Sequence, residues 1–173
     1  MTEVFTAMWV VLVVVAVVEL IALGRWSPSY FRSGIRLFRK TVPYGGQLTG
    51  PELLDALNWR FRGRVWPPLR FRQIGANEYA FREKIIQICW ITYTPVMHGL
   101  VRVGGNSATV IGYANWWPLL FFLLFVCPFV GDIGGYGAIF VFGGLLVFTL
   151  IYGTQARRFS QVGKYLCSFQ SAR

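Results

Sequence analysis

The run NWRFRGRVWPPLRFRQI, residues 58–74, places arginine at positions 60, 62, 64, 70 and 72. A guanidinium is a rigid fork of donors that holds phosphate or carboxylate through two hydrogen bonds, so anion binding is the chemistry this run offers. The alternation predicts strands. Trp59, Phe61 and Val65 would face one way and Arg60, Arg62 and Arg64 the other, and Leu69 and Phe71 against Arg70 and Arg72 would repeat the scheme. Five like charges on one surface repel one another. They suit lipid phosphates or acidic loops of a neighbouring subunit, the plain alternative being a solvated sheet face. Nucleic acid is not the expected partner, because no RNP, KH or helix-turn-helix pattern accompanies the interleaved aromatics. A second basic set, Arg32, Arg36 and Arg39, follows helical spacing in residues 30–40, on another face from Phe31, Ile35 and Phe38. That predicts an amphipathic helix lying at a membrane surface.

Other residue types that carry chemistry are sparse. Glu19 lies inside an apolar run, where a carboxylate is costly and often functional. Snorkelling or pairing with Arg25 is one reading, and a polar contact to another membrane helix is the next. His98 is the single histidine. One imidazole could ligate a haem or chlorophyll, but no second ligand stands at a matching spacing, so a hydrogen-bonded structural role is expected and no cofactor is identified. Cys89, Cys127 and Cys167 are widely spaced, which argues against zinc, iron–sulfur and a disulfide framework. Gly104-Gly105-Asn106 reads as a hairpin turn rather than a phosphate loop, and Asp132 as a turn residue. No nucleophile has a base at a readable spacing, and no GxSxG, Walker, HExxH or GxGxxG pattern occurs, so no enzyme activity is expected.

These residues sit in a chain of 173 residues that is 55% hydrophobic and carries a formal charge of +10, too apolar and too basic for an ordinary soluble domain. Val4 to Leu23 is long enough to cross a bilayer of roughly 30 Å. The residues before it, Met1-Thr2-Glu3, lack the positive charge of a signal peptide's leading region. Basic residues follow it, so the positive-inside rule puts the N-terminus outside and residue 25 onward inside. A second apolar region, residues 114–153, predicts two helices, 114–130 and 137–153, joined by the turn VGDIGGYG. Pro118 suits a first helical turn, and Trp116 and Trp117 suit an interfacial belt. Pro128 and the short second helix leave a re-entrant hairpin open as an alternative to two full spans. Glu19, the pair Gly134/Ala138 and the glycines Gly143 and Gly144 are the expected helix-packing positions.

Between the spans, residues 25–112 carry 13 basic and 4 acidic side chains. Thr49, Pro51 and Glu52 predict a capped short helix with Leu53, Leu54 and Leu57 facing a core. Period-two patterning from Trp59 on, with EKIIQICWITY read as strand, predicts four to six antiparallel strands. The expected fold is therefore an α+β membrane protein in four parts. These are a transmembrane helix (1–25), a cytoplasmic basic β-rich module (26–113), a transmembrane hairpin (114–153) and a cytoplasmic basic tail (154–173). The expected place is the bacterial inner membrane, with three spans, N-terminus out and C-terminus in. The expected role is that of a non-catalytic accessory subunit of a larger integral-membrane complex, respiratory or photosynthetic. The alternative is a free-standing anchored module that binds anionic lipid or a small ligand. Membrane lipids and other integral-membrane subunits are the expected partners.

Overall fold

Twenty-four consecutive residues of low polarity make α1, Thr2–Arg25, which presents valines on most of its circumference to the outside. The computed structural model describes residues 2–46, 48, 50–62, 67–88, 91–93, 95–126 and 136–169. After α1 come α2 (Pro28–Arg32), β1 (Ile35–Pro43), α3 (Gly50–Phe61), β2 (Leu69–Gly75) and β3 (Glu78–Glu83). Then follow β4 (Ile86–Ile88), β5 (Ile91–Tyr93), β6 (Met97–Gly104), β7 (Ser107–Ala114), α4 (Trp116–Phe121) and α5 (Tyr136–Ser168). Phe122–Val126 continues α4 as a π-helical turn. The fold is α+β, with a five-stranded antiparallel sheet in the order β1-β7-β6-β3-β2 and a separate β4-β5 ribbon. The hairpin turn at Gly104–Asn106 forms as expected, with Gly105 at positive φ.

Register assigns every side chain of the sheet to one of two faces. On the core face Phe71, Phe81 and Phe38 line up in one row with Gly99 and Gly112 between them. Those two glycines are required: a Cβ at Gly99 would overlap the Phe81 ring, and one at Gly112 the Phe38 ring. The second half of α5 closes this face. Phe159, Val162 and Leu166 are fully buried there, with Leu53, Leu57 and Phe61 of α3 joining the same core. Burying a side chain of this size contributes roughly 1.5–3 kcal/mol. The buried carboxylate of Glu83 at the end of β3 accepts hydrogen bonds from Gln155 at 2.9 Å and from Arg158, tying α5 to the sheet.

Two helices are long and apolar enough to cross a membrane: Thr6–Arg25, with a stretch of mean hydropathy 2.7, and Gly137–Ser168, with one of 1.9. The apolar segments leave the sheet from one end. β1 begins there after α1 and α2, and β7 ends there and leads into α4. Gln155 of α5 also meets Glu83 there. Phe122 packs edge-on to Phe148, so the π-helical turn runs beside α5.

Several expectations are corrected. Arg60 lies on α3 and Arg62 just after it, not on a strand. Phe61 follows Leu57 at helical spacing, and burying both on the core holds the helix for one turn beyond Asn58. The amphipathic helix expected over residues 30–40 is instead the single turn α2 followed by β1. Pairing of Ile35–Pro43 with β7 satisfies a whole row of backbone groups, which outweighs the helical spacing of the arginines. Residues 154–168, expected as a separate basic tail, continue α5 through Gly153, because the buried stripe from Gln155 to Leu166 repeats at helical spacing. The second apolar helix starts at Trp116, since Ala114 is still the last residue of β7. Arg64, Gly134, Asp132, Cys89, Cys127, the Thr49 cap and the joining turn lie outside the described residues.

Candidate anion cleft and the junction beside it

The outer face of the sheet carries the charge. One cross-strand row reads Arg70, Arg82, His98, Tyr113, Arg36, and the next reads Arg72, Ala80, Leu100, Ile111, Arg39. The short helix α2 and the end of α1 plug the middle of this face. Phe31 is fully buried, and with Leu23, Trp26 and Tyr30 it covers Ala80. Arginines therefore flank the plug. On the β1 side Arg36 and Arg39 are exposed. On the β2 side a cleft of about 500 Å³ is lined by Trp26, Asn58, Arg70, Phe71, Arg72, Arg82, Lys84 and Ile85.

Each wall of that cleft has a local cause. Arg70 and Arg72 alternate with buried Leu69 and Phe71 on β2, as the sequence spacing predicts. β2 is an edge strand, and Asn58 of α3 seals part of its edge. The Asn58 amide donates to the Phe71 carbonyl at 3.3 Å and accepts from the Phe71 N–H at 3.0 Å. Arg82 is buried and directly opposite Arg70, an arrangement that costs energy between like charges. Its Nε–H donates to the Leu23 carbonyl at 3.1 Å, and its guanidinium lies 4.7 Å over the Trp26 ring. Burial, and then the Arg70 charge, pull Arg82 down to about 10. Trp26 itself ends α1 at φ 58, the left-handed region where glycine is usual. The Ser27 N–H closes the helix end on the Ala22 carbonyl at 3.1 Å. A tryptophan there costs roughly 1–2 kcal/mol of backbone strain, and in return its ring walls the cleft and stacks on Phe31 at 5.3 Å.

Among the described residues, none that lines the cleft is acidic. Among the described residues, none of Arg70, Arg72 and Lys84 forms an ion pair. The nearest counter-example on this face is Glu78, which binds Arg32 at 2.7 Å and Arg102 at 2.9 Å. Burial alone would raise Glu78; the two arginine bonds outweigh it and hold the carboxyl below its ordinary value. The five-arginine surface expected from the sequence is thus divided. Arg70 and Arg72 line the cleft, while Arg60 lies 5.7 Å over the Tyr165 ring on the α5 side. Arg32 is used in the ion pair. The sequence reading missed Trp26, Asn58, Arg82 and Lys84. The signal for Arg82 was its spacing from Lys84, two apart across the end of a strand and so toward one face.

Beside the cleft lies a buried polar junction. The Glu19 carboxylate does not pair with Arg25. It accepts from the Tyr30 hydroxyl at 2.8 Å and from the Trp116 and Trp117 N–H groups at 2.6 and 2.8 Å. Glu19 thus caps the first turn of α4, where a negative charge also meets the helix dipole. Burial, and then this carboxylate, push Tyr30 well above its ordinary value. Tyr30 packs on His98 at 4.5 Å. The His98 Nε2 lies 3.1 Å from the Ser33 carbonyl, and its Nδ1 2.7 Å from the side-chain oxygen of Asn115, the residue before α4. Burial dominates His98 and lowers its affinity for a proton. The Trp116 ring is exposed, and Trp117 borders a small apolar groove with Val13, Ala16, Val17 and Leu20. Ala138 and Gly144 are half-buried, and an added Cβ at Gly143 would meet nothing within 4 Å.

Among the described residues no group of three or more His, Cys, Asp or Glu gathers as a metal site. No family model, curated protein or solved structure matches this chain.

Proposed function

We propose that this protein is a non-catalytic, membrane-anchored module that holds an anionic group of the bilayer surface in the cleft at the end of α1. The carrying observation is the cleft itself: four cationic side chains and no acid, built against Trp26 and the Leu23 carbonyl at the end of a membrane-length helix. A basic residue near an anionic membrane surface is worth about 1 kcal/mol, and more than one acts here. In this reading α1 and the apolar segments from Trp116 to Gly153 make three spans in the bacterial inner membrane. The N-terminus is outside and the sheet inside, where the basic residues belong. The chain purified in neutral detergent and weighed by native mass spectrometry is expected to retain anionic phospholipid. The double variant Arg70→Gln/Lys84→Gln is expected to lose it. Equal retention by both proteins, or retention of zwitterionic lipid only, would defeat the proposal.

A second reading is the accessory subunit of a larger integral-membrane complex, respiratory or photosynthetic. What favours it is the first half of α5. There Ile139, Phe142 and Leu146 are 72%, 68% and 61% exposed, an apolar face that no other described residue covers. Native electrophoresis of membranes dissolved in mild detergent separates the two readings. Comigration with a large complex supports the subunit, and migration at monomer or dimer mass removes it.

A further inference from the structure

The four cations of the cleft are not gathered on one point. Arg72 pairs with Ala80 across the β2–β3 ladder, and Lys84 lies four residues beyond Ala80, where its N–H still bonds the Pro68 carbonyl at 2.8 Å. At 3.2–3.4 Å per residue the two ends of the cationic track are roughly 13 Å apart along the strands. Arg70 and Arg82 face each other between them. Arg82 cannot swing to follow a ligand, because the Leu23 carbonyl and the Trp26 ring hold it. That spacing is between backbone positions, and one phosphate would meet both ends only if the Arg72 and Lys84 side chains folded inward onto a single point, against the mutual repulsion of the four cations. A phosphodiester also carries one charge, which leaves three cations uncompensated in a cleft with no acid.

We infer that the cleft takes a membrane lipid headgroup carrying two phosphates, of which cardiolipin is the common bacterial example. One phosphate is held by Arg70 with Arg72, the other by Arg82 with Lys84. This rests on the reading of the cleft as an anion site and adds the ligand's valency and source. The source is lipid rather than a soluble phosphate because one wall of the cleft is Trp26. That residue ends α1 and stands at the depth where a spanning helix meets the headgroups. Basic pockets beside membrane helices on the cytoplasmic side are known to suit such headgroups.

The test is thermal unfolding of the full chain in neutral detergent, titrated with four additives at equal phosphate concentration: cardiolipin, phosphatidylglycerol, phosphatidylcholine and inorganic pyrophosphate. Cardiolipin is expected to raise the unfolding midpoint at a concentration about tenfold below that needed by phosphatidylglycerol. The Arg72→Gln and Lys84→Gln variants, both at exposed positions, are each expected to weaken the cardiolipin response about fivefold and to bring it toward that of phosphatidylglycerol. Equal potency of cardiolipin and phosphatidylglycerol would overturn the two-phosphate assignment while leaving the anion site intact. A full response to pyrophosphate alone would overturn the lipid source. A response to phosphatidylcholine equal to the others would remove the anion site itself.

Discussion

The two faces of the sheet are built by opposite rules. On the core face the charged pair Glu83–Arg158 is enclosed, each partner bonded to the other and to a neighbouring group, Glu83 to Gln155 and Arg158 to the Pro67 carbonyl. On the outer face Arg70, Arg72 and Lys84 stand without an acid, and the plug of α2 and Trp26 covers the centre of the sheet but leaves them open. A buried charge needs its partners within the chain because no water replaces a missing one: Arg158 has Glu83, and Arg82, with no acid beside it, has the Leu23 carbonyl and the Trp26 ring. A charge at the rim can be left for something outside the chain to pair. The difference marks which arginines hold the fold together and which are free to bind.

Breaking the pairing on the core face has the largest expected effect. Glu83→Gln leaves Arg158 with an uncompensated charge only 15% exposed and is expected to cost about 3–5 kcal/mol, read as a lowered midpoint in denaturant unfolding. An effect below about 1 kcal/mol would erase the contrast between the faces. The junction comes next. Glu19→Leu strips partners from the Tyr30 hydroxyl and from the Trp116 and Trp117 N–H groups, an expected loss of about 2–4 kcal/mol. Because the capped helix is α4, the loss should appear as faster proteolysis or hydrogen exchange around residues 115–126 before the sheet opens.

Acid should destabilise the fold through two groups of the outer face. His98 has a folded-state value below its ordinary 6.5, so as the pH falls the unfolded chain takes up that proton first. The stability His98 contributes is present above 6.5 and declines below it. Glu78, also held low, adds a second loss that begins as the pH falls below 4.5 and is complete once its folded value is passed. A thermal midpoint that stays level from about pH 7.5 to about 5.5 would contradict the histidine part. The smallest effect on stability belongs to the cleft. Arg72→Gln is expected to change stability by no more than about 0.5 kcal/mol, or to raise it slightly by relieving repulsion. It should nevertheless weaken anion binding, with raised salt mimicking the change. A large destabilisation by this variant would mean that Arg72 is a structural residue after all.

Much of this was legible in the sequence wherever one local pattern was enough. Leu69 and Phe71 went inward and Arg70 and Arg72 outward because side chains alternate in a strand, and Leu53 and Leu57 reached the core because a helix repeats near every fourth residue. Residues 58–62 misled because Trp59, Arg60, Phe61 and Arg62 also alternate. The deciding signal was Phe61 four residues after Leu57, which only matters once both have a core to enter. In residues 154–168 the buried stripe was present in the sequence, but its basic residues read as a cytoplasmic tail. Arg158 proved to be the partner of Glu83, 75 residues away.

The sequence by itself determined the length and apolarity of α1, the excess of basic residues after it, the hairpin turns and the side of the strand on which Arg70 and Arg72 stand. Each follows from local propensity or a short period. The tertiary structure alone decided that β1 is a strand, since its backbone partner is β7. It also decided that Glu19 caps a helix 97 residues further on, and that Arg82, Lys84 and Trp26 join two of the five arginines in one cleft. Those outcomes depend on strand order and register, which bring distant residues within reach of one another, and no window of neighbouring residues contains that information.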